Sequence, residues 1–131
     1  MASEGDLSSF FRFFQQQLGF PFLIELCFGF PGCFNNSLTK SYCIAVLREK
    51  AGSKKLIFAT THLWWKSDAP DSKSYQLFSD AARAYQMTKL IERLNVLENT
   101  YNCPMIVVGD MNAVYSSNAV QAALKRGFCH S

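Results

Sequence analysis

Apolar positions along this chain switch between two periods, and the order in which they switch predicts an α/β protein. Leu7, Phe10, Phe11, Phe14 and Leu18 recur at helical spacing, with Asp6 or Ser8 as a cap and Gly19 as a stop, which predicts a helix over about residues 8–18. After Pro21 the run from Phe22 to Phe28 predicts a strand, and the Gly-, Pro- and Asn-rich stretch from Gly29 to Ser37 a loop. Tyr42 to Arg48 and Leu56 to Thr61 predict two more strands. The segment from Glu49 to Lys54, with Ala51-Gly52-Ser53 inside it, suits a hairpin connection and makes that pair antiparallel. A polar stretch from Lys66 to Ser74 precedes an apolar stripe of Leu77, Ala81, Tyr85, Leu90, Ile91, Leu94 and Leu97, which predicts a long helix ending near Asn99. A strand from Met105 to Val108 and a short helix from about Ser117 to Arg126, stopped by Gly127, complete the order. Tyr75, Tyr85 and the phenylalanines are expected in the core.

Composition narrows this picture. At 131 residues the chain suits a single domain, and no repeat or low-complexity segment interrupts it. Hydrophobic residues at 49% against charged residues at 18% exclude a disordered or polybasic tail. The net charge of +3 leans toward phosphate-bearing partners, but the basic residues are scattered and identify no ligand. Cys27, Cys33, Cys43, Cys103 and Cys129 are odd in number and lack the close pairs of a structural zinc site, so they read mostly as buried thiols in a reducing compartment. Residues Met1 to Asp6 lack a basic start with an apolar core behind it, and no uncharged run reaches membrane-spanning length. An intracellular protein with no obligate protein partner is the expectation. The sequon Asn35-Asn36-Ser37 reads as chance in that setting.

Chemistry concentrates at two strand ends. Gly109-Asp110-Met111-Asn112 follows Pro104-Met105-Ile106-Val107-Val108, which puts a carboxylate and an amide two residues apart where a buried strand leaves its sheet. The carboxylate can bind a metal or orient water, and the amide can donate to a phosphate oxygen. Thr60-Thr61-His62 ends another strand, where an imidazole that titrates near neutrality can donate to phosphate or to a leaving oxygen. Trp64, two residues on, shares the face of His62 if the backbone stays extended, and an indole there can stack on a base. Core packing and turn capping are the competing readings of each residue taken singly.

The order strand-Thr-His-Leu, long helix with Arg83 and Gln86 three apart, strand-Gly-Asp-Met-Asn, then Ser116-Ser117-Asn118 and a helix ending Arg126-Gly127-Phe128 resembles the endonuclease/exonuclease/phosphatase superfamily. These magnesium-dependent phosphoesterases include deoxyribonucleases, deadenylases and nocturnin-like phosphatases. The resemblance implies a partial four-layer α/β sandwich, with mostly antiparallel central strands and flanking helices, and a single incomplete domain over residues 1–131. It implies hydrolysis of a phosphodiester or phosphomonoester of a nucleic acid or nucleotide. Asp110 would activate water, Asn112 and His62 would hold the phosphate, Trp64 would contact substrate, and Arg83 and Gln86 would support the site or anchor the helix. Ser3-Glu4-Gly5-Asp6 stands where deadenylase relatives carry a metal-binding glutamate, which makes Glu4 the candidate ligand for Mg²⁺ or Mn²⁺. The chain departs from the pattern at both ends. The early strand with its asparagine and the closing Ser-Asp-His motif have no counterpart, and His130 does not replace the missing histidine. A weak or inactive hydrolase is therefore the expectation, with a non-catalytic binding module as the alternative.

Overall fold

The structure, a computed structural model, describes residues 23–29, as a strand backbone, and residues 40–130. The candidate metal ligand Glu4, the helix predicted over residues 8–18 and the loop that follows the first strand lie outside the described residues. Strand β1 (Leu23–Gly29), β2 (Ser41–Arg48) and β3 (Lys55–His62) come first, then helix α1 (Ser79–Tyr101), strand β4 (Met105–Asp110) and helix α2 (Asn118–Arg126). The four strands form one sheet in the order β1-β2-β3-β4. The first two pairings are antiparallel and β3–β4 is parallel, so the architecture is an α/β mixed sheet with two helices.

The parallel step follows from α1. A hairpin can only reverse direction, so two parallel neighbours need a crossover, and the 23-residue helix supplies it. Strand alternation then sorts the side chains into two faces. Ile44 and Val46 of β2, with Ile57 and Ala59 of β3, join Met87, Leu90, Leu94 and Leu97 of α1 and Ala119 of α2 in the main core. A large aliphatic side chain buried in this way contributes about 1.5–3 kcal/mol. Cys43 and Ala45 point to the other face, which no helix covers among the described residues. The strands end within about two residues of where their periodicity predicts, and α2 begins and ends where Ser117 and Gly127 predict. Ser117 Oγ accepts from Val120 N–H, and Gly127 takes a left-handed φ of 107°.

The start of α1 differs from expectation. Leu77 lies outside the helix and is exposed, and Phe78 precedes Ser79 in a left-handed conformation with no side-chain cap. Asp68, from the preceding loop, caps the helix instead, with Ser79 N–H donating to one carboxylate oxygen (2.5 Å) and Asp80 N–H to the other (2.9 Å). The first two turns bury Ala82, Arg83, Gln86 and Met87, while Tyr85 and Tyr75 are exposed rather than in the core. Hydrophobic spacing misleads here because the buried face of those turns is partly polar. Arg83 Nη1 and Gln86 Oε1 bond to main-chain groups of the loop after β3, which offsets much of the cost of burying these polar side chains. Cys43 is buried, Cys103 partly buried and Cys129 exposed.

Candidate active site

The parallel register brings two of the expected residues together. Thr61 pairs with Gly109 and His62 with Asp110, so the side chains of His62 and Asp110 project from neighbouring strand ends onto the face opposite α1. His62 Nε2 stands 3.9 Å from Asp110 Oδ2, beyond hydrogen-bond reach, and both side chains are more than half exposed. Gly109 makes this closeness possible. Its φ is 144°, and a Cβ added there would lie 1.9 Å from the carbonyl oxygen of Thr61.

Asn112 completes a tight corner. It adopts a left-handed φ of 47°, its N–H donates to Asp110 Oδ1 (2.9 Å), and its amide nitrogen donates to the carbonyl of Leu63 (3.0 Å). Asparagine tolerates that conformation, and the side-chain turn fixes one oxygen of Asp110 while Oδ2 stays free to face His62. One amide hydrogen of Asn112 is committed to Leu63, and the second remains for a ligand.

Sequence reasoning missed Lys40. It lies at the entry to β2, is 3% exposed, and brings its Nζ within 2.9 Å of His62 Nε2. An ammonium can only donate, so His62 accepts at Nε2 and carries its proton on Nδ1. Burial, the charge of Lys40 and, in opposition, Asp110 together hold the His62 pKa below its usual value, so the ring is neutral at pH 7. Burial also lowers the Lys40 pKa, against the pull of Asp110. No motif could have flagged this lysine, because its place depends on the β2–β3 register.

Arg83 and Gln86 act on the loop between β3 and α1. Arg83 Nη1 donates to the carbonyls of Lys66 (2.6 Å) and Trp64 (3.3 Å), and Gln86 Oε1 accepts from Trp64 N–H (2.8 Å). They lie on the buried face of α1, and these bonds hold the loop rather than His62 or Asp110. Strand β3 ends at His62, two residues before Trp64. Trp64 is half-buried with its indole nitrogen shielded, whereas Trp65 is half-exposed. Lys66 lies 6.0 Å and 5.8 Å from the two rings.

No family model matches the chain, and no curated protein matches it. Among solved structures it matches the human Nocturnin catalytic domain with bound sulfate anion, at 18% identity and a TM-score of 0.57, over 80% of this chain. The fold resembles part of a nocturnin catalytic domain. The chain spans 36% of the solved chain, about a third of its length, and the likeness is one of fold. That domain belongs to the superfamily the sequence motifs resemble.

A divalent cation does not fit the described donors on their own. Asp110 is the carboxylate of the strand-end cluster, the buried ammonium of Lys40 acts on it electrostatically, and no group of three or more metal-ligating side chains occurs among the described residues. A second apolar feature lies elsewhere. A groove of about 630 Å³ runs between α1, α2 and β4, lined by residues such as Leu90, Leu124 and Phe128, and includes none of His62, Asp110 or Asn112.

Proposed function

We propose that this chain carries part of a phosphoesterase site, acting on the phosphate ester of a nucleic acid or nucleotide, within a single incomplete domain that forms part of a four-layer α/β sandwich. One observation carries the reading. His62 and Asp110 are register partners on one face of the sheet, with the Asn112 amide fixed beside them, in a fold shared with a nocturnin catalytic domain. The bound sulfate of that solved domain supports an oxyanion as the ligand class, because sulfate mimics phosphate in charge and shape.

In this mechanism Asp110 Oδ2 takes a proton from water as the water oxygen bonds to phosphorus and the bond to the leaving oxygen breaks, the leaving oxygen taking its proton from solvent. Asn112 donates its uncommitted amide hydrogen to a phosphoryl oxygen. His62, neutral and held at Nε2 by Lys40, offers its Nδ1 proton to substrate. Glu4 is the residue that would hold Mg²⁺ or Mn²⁺, which would supply charge to a phosphoryl oxygen. Trp65, half-exposed, offers a stacking surface for a base that Trp64 offers less well.

The described donor set favours a second reading, a module that binds phosphate esters without turning them over. Hydrolysis of a chromogenic phosphomonoester, a chromogenic phosphodiester and an oligonucleotide separates the two. Turnover that falls about 10²-fold or more in Asp110→Asn supports the esterase. Binding without turnover supports the module, and neither binding nor turnover rejects both.

A further inference from the structure

Lys40 is the buried cation of the strand-end cluster, and its surroundings are unusual for a lysine. A buried ammonium normally sits against a carboxylate at hydrogen-bond distance. The partner that Lys40 meets at that distance is a ring nitrogen of His62, 2.9 Å away, which takes one of its three N–H donors. Asp110 acts on it electrostatically without an ion pair among the described salt bridges. The remaining N–H donors of Lys40 lie within the electrostatic reach of Asp110, whose carboxylate accepts from the Asn112 N–H, and the His62 and Asp110 side chains that border the ammonium are more than half exposed. A fixed positive charge with N–H donors to spare suits an oxyanion.

We propose that Lys40 supplies the positive charge of this site, binding an oxygen of a phosphoryl group directly, with no divalent cation between them. The proposal rests on the reading of the cluster as a phosphate site and adds the group that attracts the phosphate. With His62 neutral, Lys40 and Asp110 cancel, so the two charges pull a bound anion in opposite directions. Removing the lysine charge weakens anion binding, and removing the aspartate charge strengthens it. A site bridged by a metal ion responds differently. Loss of a carboxylate there weakens the hold on the cation and with it the anion.

The test is a titration of the full chain with inorganic phosphate, followed by calorimetry and by phosphorus NMR, once in excess EDTA and once in Mg²⁺. The expected result is binding in EDTA, weakened about tenfold or more in Lys40→Gln and strengthened about threefold in Asp110→Asn. Binding that appears only with Mg²⁺, or that a natively folded Lys40→Gln retains in full, overturns the role of Lys40 and leaves the phosphate site standing. Absence of binding in both solutions overturns the site as well. Should Lys40→Gln fail to fold, the EDTA and Mg²⁺ titrations of the unaltered chain and of Asp110→Asn decide the matter: tighter binding by Asp110→Asn in EDTA supports direct binding by Lys40, and weaker binding overturns it.

Discussion

His62 shows how far a single side chain depends on its neighbours. An exposed histidine titrates near 6.5, but here burial, then the ammonium of Lys40, disfavour the imidazolium, and Asp110 only partly offsets them. In the unfolded chain the ring takes its proton at the ordinary value, so as pH falls through about 6.5 the unfolded state binds more protons than the native one. Stability is therefore expected to decline on acidification through that range. Lys40→Gln removes one cause of the depression, and the His62 ring signal in a proton NMR titration should then move to a higher pKa, with His130 as the companion signal. An unchanged midpoint would separate Lys40 from His62. At this scale the sequence pointed to His62, Asp110 and Asn112 because each ends or follows an apolar strand. Lys40 was illegible, since it lies 22 residues from His62 and only strand pairing brings them together.

The elements were mostly legible because their signals are local. Alternation and β-branched residues mark β2 to β4, and a serine cap with a terminal glycine frames α2. The first turns of α1 were not, because Arg83 and Gln86 occupy its buried face and the cap comes from Asp68, eleven residues before Ser79. Asp68→Ala should cost about 1 kcal/mol in urea unfolding through loss of that cap, with the strand-end cluster unchanged. Gly109→Ala is the more severe change. Its Cβ would collide with the main chain of Thr61, so the β3–β4 pairing must shift and separate His62 from Asp110. A loss of about 3 kcal/mol or more is expected, with phosphate binding lost alongside. Leu90→Ala, in the centre of the core, should cost about 2–5 kcal/mol and leave ligand contacts in place.

On the scale of the whole molecule, the site occupies the end of the sheet face opposite α1 and α2. Ile106 and Val108 are exposed on β4, which pairs on one side only among the described residues and carries no charge before Asp110. A strand with those properties invites edge pairing, and Val108→Lys should reduce concentration-dependent association in sedimentation velocity. The central claim is that phosphate chemistry belongs to the strand ends and not to the apolar groove between α1, α2 and β4. Amide chemical-shift mapping during titration with a non-hydrolysable phosphate ester tests it most directly. The account predicts that shifts centre on Lys40, His62, Leu63 and residues 110–113. Shifts centred instead on Leu90, Leu124 and Phe128 would contradict it.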